Sequence, residues 1–492
     1  MKYEDFEQYY SEYSVVPVYE KITADLLTPV LAYIKLREKH HYCFLLESVE
    51  GIGRLARYSF VGKDPIKIIS NRGKQITIKT KDKTENREEN LFHYLKEEIK
   101  KFNRPKIGDL PDFTGGIVGY LGYENIALIE DVVQIDNPHE LDTPDSIFAL
   151  YDTVIAFDHY KHQLILIKNV IKANSSDASA AFADAKKSLS DLRDQLLKPV
   201  DYASNFDYEK LSEDKEAESY YKEIVKQSKD NITAGDVFQI VLSHRFKTKF
   251  SGDLLNVYRA LRIINPSPYM YYIEFEDDFT VIGTSPEDLL KVTERRATIL
   301  PIAGTRHRGE TPEEDLRLEE ELLADPKERA EHVMLIDLAR NDLGRISKYG
   351  TVEVTEMMRV QRYSHVMHIV SRVEGELKDD RDCIDALMAA FPAGTLTGAP
   401  KIRAMQLIND YEKNRRNVYG GAVGYIDFGG NLDMCIAIRT MFAKDDVIYW
   451  QAGAGIVADS IPKSEFQEVK NKSAVLVSAL KYAEVIDAHT GD

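Results

Sequence analysis

Residues 421–453 read GAVGYIDFGGNLDMCIAIRTMFAKDDVIYWQAG. Three runs within this stretch, Gly421–Phe428, Asp433–Phe442 and Val447–Gly453, have the composition of successive antiparallel strands. The same grammar recurs upstream. Tyr269–Phe275 and Phe279–Gly283 read as a hairpin and Val237–Leu242 as a strand. His41–Leu46, Lys67–Ser70, Gln75–Lys79 and Thr153–Asp158 are short β-rich runs, and Gly115–Tyr120 is a glycine-rich strand or turn. Helical spacing marks Tyr220–Ile232, Pro326–Asn341, Asp382–Ala390 and a closing helix, Ser464–Ala483. Strands that come in runs, rather than in β-α-β alternation, predict an α+β fold with large antiparallel β-sheets packed with helices.

The 492 residues suggest two domains. Lys172–Leu197 reads as a polar helix and Pro199–Glu218 as an acidic connector. The expected division is an N-terminal part at 1–170, a linker at 171–215 and a second domain at 216–485. Hydrophobic residues make up 43% and charged residues 29%, as in a globular chain. The net charge of −17 repels nucleic acid and anionic membranes, so neither is an expected partner. Cys43, Cys383 and Cys435 lie far apart without metal-ligand spacing. No apolar run approaches the ~18 residues of a membrane span, and the acidic, aromatic start is no signal peptide. A cytoplasmic protein is expected.

Two Glu-x-x-Glu pairs carry candidate chemistry. In Asp325-Pro326-Lys327-Glu328-Arg329-Ala330-Glu331-His332, Pro326 suits a first helical turn and places Glu328 and Glu331 on one face. In Ser464–Lys472, Glu465 and Glu468 repeat the spacing, Lys472 lies one turn beyond Glu468, and Ser464 with Gln467 suggests a capping box. Each pair alone is more often a solvated helix end. Facing each other, the two would form a carboxylate cage for a hard cation such as magnesium. Such an ion would also give an acidic protein local positive charge for an anionic substrate. Gln451–Ser460, with Gly453 and Gly455, reads as a glycine-rich turn whose backbone can approach an anion. No G-x-x-x-x-G-K-[ST] phosphate loop is present.

Longer motifs carry a resemblance. Pro301–Thr305, Asp325–Glu328, Leu335–Asp342, Phe391–Lys401 and Gln451–Lys472 are similar to the chorismate-utilising enzymes over roughly residues 215–480, with a weaker match over the first 160. Ala303 stands where common bacterial aminodeoxychorismate synthases place a nucleophilic lysine, and Gln239 where isochorismate and salicylate synthases place a lysine base. The chain thus resembles the large subunits of anthranilate synthases, which make anthranilate and pyruvate from chorismate and ammonia and open the route to tryptophan.

That resemblance implies a magnesium ion at Glu331 and Glu468, with Glu328 and Glu465 nearby. It makes Glu287 the acid for the departing hydroxyl, His368 the residue of pyruvate elimination, and Thr305 and Thr395 pocket hydroxyls. Tyr419, Arg439, Gly453, Gly455 and Lys472 would hold the substrate. Without that context, His368 is more often a core histidine and Arg439 a structural ion-pair partner. Glu47 and Ser48 of the N-terminal regulatory part, with Pro268, Tyr269 and Met270 of the second domain, resemble a tryptophan-inhibitor site that would join the two. None of the cysteines sits in a nucleophile elbow. The resemblance therefore implies a separate glutamine amidotransferase subunit in a 2+2 heterotetramer. The alternatives are an aminodeoxychorismate synthase or a synthase that stops at the aminated intermediate. A non-catalytic tryptophan sensor on the same fold is disfavoured by the retained Glu, Arg, Lys and His set.

Overall fold

A computed structural model describes residues 1–37, 42–48, 57–174, 177–211, 214–362 and 366–487. His41, and Ser364 and His365 beside His368, lie outside them. Among the described residues, antiparallel strands build two sheets of twelve strands each, eleven of them in a continuous order; the twelfth is Gly398–Ala399 beside Gln239–Gly252 in the first sheet and Glu353–Arg362 beside Val366–Glu376 in the second. The first runs in the order Val15–Thr23, Gln163–Ile171, Thr153–Asp158, Tyr58–Lys63, Cys43–Glu47, Tyr269–Glu274, Phe279–Ser285, Thr440–Lys444, Val447–Ile456, Gln239–Gly252 and Phe206–Tyr208. The second runs Ile302–His307, Val366–Glu376, Arg296–Ile299, Asp288–Thr293, Leu432–Ile436, Ala422–Asp427, Gly116–Leu121, Ser146–Tyr151, Lys67–Arg72, Gln75–Thr80 and Thr84–Glu88.

Alternation along the strands decides how the sheets stack. Phe44, Val281 and Phe442 of the first sheet meet Val118, Tyr120 and Val423 of the second in one buried cluster. Each such side chain contributes about 1.5–3 kcal/mol when withdrawn from water. The opposite face of the first sheet is covered by helices that include Ala178–Leu197, Leu255–Ile264 and Pro462–Ala483. Pro326–Gly344 and Cys383–Ala390 cover the second. The result is four layers, helix–sheet–sheet–helix. Both sheets mix strands from before residue 171 with strands from beyond 216, joined where Met270 lies opposite Glu47 and Gly424 opposite Gly119. Among the described residues, no helix is long and apolar enough to cross a membrane.

Several local expectations change. The single strand expected at Asp433–Phe442 is two strands, Leu432–Ile436 in the second sheet and Thr440–Lys444 in the first. The chain crosses between sheets at Ala437-Ile438-Arg439, where Arg439 has φ +50°, a left-handed backbone conformation costly for a side chain of this size. The glycine-rich segment around Gly453 and Gly455 is not a turn. It continues strand Val447–Ile456, with Gly453 opposite Ser243 and Gly455 opposite Val241. Ser464 forms no capping box, because Pro462 starts the helix and Ile461 precedes it. Strand Gln239–Gly252 runs far beyond Leu242, and the polar helix begins at Ala178, after strand Gln163–Ile171. The acidic connector contributes a short strand, Phe206–Tyr208, before helix Lys215–Ala234.

One buried cation ties these parts together. Arg416 is 1% exposed. Its guanidinium donates to Glu412 at 2.9 and 2.7 Å, to the Leu396 carbonyl at 2.7 Å and to the Val241 carbonyl at 2.8 Å. It also lies 4.7 Å from the ring centre of Tyr123 and 5.6 Å from that of Tyr419. The Arg416 and Asn417 amides donate to Glu124. Removing the cation strands a buried carboxylate. Arg416→Met should therefore cost about 3–5 kcal/mol of stability, while adding Glu412→Leu should recover much of the loss. Urea unfolding of the two variants checks this. A single-variant cost below about 1 kcal/mol would show that the pair is not structural.

Candidate active site

A cleft of about 760 Å³ opens at the sheet ends, between helices Pro326–Gly344 and Pro462–Ala483. Glu287 and Arg439 enter it from two neighbouring crossovers. Strand Phe279–Ser285 of the first sheet continues through Pro286-Glu287 into strand Asp288–Thr293 of the second. The 437–439 crossing runs beside it in the reverse sense, and the two are bonded by Ile436 N–H to the Glu287 carbonyl at 3.0 Å and Thr284 N–H to the Arg439 carbonyl at 3.2 Å. An acid and a cation are thereby set side by side on doubly anchored backbone.

Burial raises the pKa of the Glu287 carboxyl from its ordinary value, opposed by a Thr395 hydroxyl bond at 3.3 Å and by the charges of Lys472 and Arg439. Arg439 Nη1 donates to the Lys472 carbonyl at 2.8 Å. The Lys472 ammonium donates to the Gly453 carbonyl at 2.9 Å and pairs with Glu468 at 2.8 Å.

Thr305 and His368 face each other across strands Ile302–His307 and Val366–Glu376, just after a bulge at Ala303–Thr305. His368 Nδ1 lies 2.9 Å from the Gly304 carbonyl and 3.0 Å from the Thr305 hydroxyl. A carbonyl only accepts, so Nδ1 carries the proton and Nε2 keeps its lone pair. Burial lowers the pKa of this imidazole and favours that neutral form.

Gly453 and Gly455 follow from space. A Cβ on Gly453 would sit 2.7 Å from the Tyr419 hydroxyl and 2.8 Å from the Leu242 carbonyl, and one on Gly455 would sit 2.6 Å from Gln239 Nε2. The strand thus presents bare backbone to the cleft.

Glu331, Glu465 and Glu468 line the same cleft from the two helices. Burial raises the Glu331 carboxyl, and the charges of Glu328 and Glu468 add to this. Burial also raises Glu465, with Glu468 adding to it. Glu328 stands apart from the lining and pairs with Arg306 at 3.6 Å. Among the described residues, no three His, Cys, Asp or Glu side chains converge closely enough to hold an ion. Hard oxygen donors that repel one another on a wall fit magnesium, which takes one or two carboxylates and completes its shell with water and ligand oxygens.

Gln239, Ala303, Thr305, Thr395 and Tyr419 also line the cleft. Lys327 and Gln451 do so as well, though sequence reasoning gave them no role. Both carried a signal: Lys327 is one helical turn before Glu331, and Gln451 shares a strand face with Gly453.

The five residues compared with an inhibitor site lie elsewhere. Glu47 and Met270 are register partners. Glu47 accepts from Tyr258 at 2.6 Å and pairs with Arg262 at 2.8 Å. Ser48 and Pro268 flank these strand ends. Tyr269 joins the core between the sheets and donates to Asp433 at 2.8 Å, whereas Met270 packs in the helix-side core.

Comparison with known proteins agrees with this arrangement. Residues 42–478 match the family described as chorismate binding enzyme. Anthranilate synthase component 1 of Aquifex aeolicus (strain VF5) is 44% identical over 495 aligned residues, covering 98% of each chain. That of Acetivibrio thermocellus is 43% identical, covering 96% of each. The crystal structure of anthranilate synthase component I from Streptococcus pneumoniae TIGR4 superposes with a TM-score of 0.77 at 37% identity, covering 93% of this chain and 99% of that one. The menaquinone-specific isochorismate synthase of Escherichia coli shares the fold, with a TM-score of 0.69 at 17% identity, covering 97% of this chain and 98% of that one. With a family match over most of its length and 43–44% identity to those near full-length relatives, the chain that builds this cleft belongs to the anthranilate synthase component 1 family of chorismate binding enzymes.

Proposed function

We propose that this chain converts chorismate and ammonia to anthranilate and pyruvate. The observation that carries the proposal is near full-length similarity to anthranilate synthase component 1, combined with Ala303 and Gln239 in the cleft wall. Neither side chain can serve as an amine nucleophile or take a proton from water, so an external nitrogen nucleophile is favoured.

Arg439 and Lys472 neutralise the two carboxylates of chorismate, and the Gly453–Gly455 backbone lets them approach. Ammonia adds at C2 while Glu287 protonates the C4 hydroxyl, which departs as water. His368 Nε2 then takes the C2 proton. The electron pair of that C–H bond completes the aromatic ring, the bond from ring C3 to the enolpyruvyl oxygen breaks, and the released enolate takes a proton at its methylene carbon to become pyruvate. Thr305 and the Gly304 carbonyl fix the imidazole orientation for this step. Glu331 and Glu468, with Glu465 and Glu328 nearby, would hold magnesium, which when bound neutralises and orients the ring carboxylate.

Glutamine hydrolysis needs an activated nucleophile. Cys43, Cys383 and Cys435 are buried, and burial pushes the thiol pKa up in each. Ammonia from glutamine therefore comes from a separate amidotransferase subunit, in a complex with two copies of each chain. Tryptophan inhibits through Glu47 and Ser48 of an N-terminal regulatory part together with the Pro268–Met270 segment of the second domain, by binding one arrangement of the chain better than another. The enzyme works in the cytoplasm.

Purified chain, chorismate, magnesium and ammonium should yield blue-fluorescent anthranilate, while glutamine alone should yield almost none. Tryptophan should suppress this activity, and Ser48→Arg should relieve the suppression with little change in uninhibited rate. Robust turnover on glutamine without a second protein would sink the partner assignment. Full tryptophan sensitivity in Ser48→Arg would sink the inhibitor site.

Glu331→Gln and Glu468→Gln keep shape and remove charge. Both should lose most activity at limiting magnesium and the thermal upshift that magnesium gives the parent. Parental behaviour of both variants in either measurement rules out the carboxylate wall as the metal site. His368→Met should slow aromatisation by about 10²–10⁴-fold, the usual weight of a positioned base, and let the aminated, pyruvate-bearing intermediate accumulate on chromatography. Equal loss of intermediate and anthranilate would deny His368 its separate role.

A further inference from the structure

His332 has no part in the steps above, although it follows Glu331 directly. It lies on the buried face of helix Pro326–Gly344 with Leu335, Ile336 and Ala339, and is 0% exposed. Glu331 faces the cleft instead, with Lys327 and Met334. Among the described residues, the His332 imidazole makes one hydrogen bond, Nε2 to the Ser371 hydroxyl at 2.7 Å, and Nδ1 has no partner. A buried ring with an unsatisfied nitrogen is less stable than an apolar side chain of similar volume. Stability alone would favour leucine here, so the polar bond is explained by what it orients.

Ser371 is a junction of three strands. It lies on Val366–Glu376, three residues beyond His368 and therefore on the opposite face. Its amide donates to the Pro301 carbonyl at 3.1 Å, at the start of the strand that carries Thr305. Its hydroxyl accepts from the Met358 amide at 2.9 Å. Met358 sits where the register of strands Glu353–Arg362 and Val366–Glu376 shifts, at φ +53°, so its amide turns from the ladder to a side chain. One helical turn before His332, Glu328 packs on the same strands: a Cβ on Gly304 would stand 3.2 Å from its Oε2. The start of the helix is thus held at Glu328 and at His332, with Glu331 between them.

We infer that His332 and Ser371 are positioning residues that yoke Glu331 to the strand of His368, so that the metal wall and the base keep one spacing. Rotation of the helix about its axis would carry Glu331 sideways across the cleft. Apolar packing is non-directional and resists such rotation weakly, whereas a hydrogen bond with a fixed donor–acceptor direction resists it. Magnesium demands near-ideal ligand geometry, so a carboxylate that serves it tolerates little displacement. The yoke acts through the helix backbone and touches neither ion nor substrate.

The yoke rests on the reading of Glu331 as a metal ligand, and the experiment separates the two. Ser371→Ala and His332→Leu remove the bond from either side without changing charge on the cleft wall. Each is compared with the parent for magnesium binding by calorimetry, for the thermal upshift that magnesium gives, and for ammonium-dependent turnover across magnesium concentrations. Both should bind magnesium about tenfold or more weakly, the lower end for groups that orient metal ligands. The upshift at a fixed magnesium concentration should shrink, and kcat at saturating magnesium should stay within about twofold. His332→Gln, whose amide reaches about as far as Nε2, should recover part of the affinity, and the double variant should be no worse than either single one. Should His332→Leu fail to fold, Ser371→Ala, which removes one oxygen, decides alone. Parental magnesium affinity in Ser371→Ala overturns the yoke, whatever its heat stability. So does a fall in kcat at unchanged affinity, which marks a purely structural bond. A parent that binds no magnesium overturns the metal reading on which the yoke rests.

Discussion

A buried guanidinium holds this structure in register. Arg416 could not remain charged away from water without Glu412, two backbone carbonyls and two aromatic faces around it. Those partners come from distant parts of the chain: Val241 in a strand of the first sheet, Leu396 beside the Thr395 hydroxyl, Tyr123 in the N-terminal half, and Tyr419 in the cleft wall. Satisfying one cation therefore fixes the position of groups that no local propensity would bring together. Glu412 is tied in turn to Ser243, whose hydroxyl lies 3.3 Å from the cleft residue Gln451.

The second constraint is the paired crossing between sheets. A strand that changes sheet interrupts its ladder, and the residues at the crossing must find other hydrogen bonds. Two crossings side by side satisfy each other, through the Glu287 and Arg439 carbonyls. The left-handed backbone at Arg439 is sustained by that mutual anchoring, and its side chain is delivered to the cleft beside the acid it moderates. The positions of Glu287 and Arg439 in the cleft thus follow from backbone geometry.

Net charge and local charge pull in opposite directions. The chain carries −17, yet Arg439, Lys472 and Lys327 line the cleft. Glu331, Glu465 and Glu468 share that lining, so the wall needs a counter-charge before an anion settles beside it. The magnesium ion proposed above would supply this, and would let an acidic protein take an anionic substrate. Burial moves two cleft groups in opposite directions, raising the pKa of the Glu287 carboxyl and lowering that of the His368 imidazole.

The α+β class, the hairpin at Tyr269–Ser285, the long helix from Pro326 and the closing helix were legible from periodicity, because each is fixed by contacts near in sequence. The motifs also contain many residues that line the cleft, among them Glu287, Glu331, His368, Arg439 and Lys472. Three things were not legible. The break in Asp433–Phe442 is invisible, because strands of either sheet show the same alternation and nothing local records which sheet a strand joins. Gly453 and Gly455 suggested a turn, but their lack of side chains answers the Tyr419 hydroxyl and the Gln239 amide, which only packing brings near. Tyr269 and Met270 read as one segment, yet a strand sends neighbours to opposite faces, one towards Asp433 and the other into the helix-side core. The sequence by itself determined which chemical groups exist and which local elements carry them. The tertiary structure decided which groups meet, because the meeting depends on long-range pairing and on the burial of Arg416, both properties of the assembled chain.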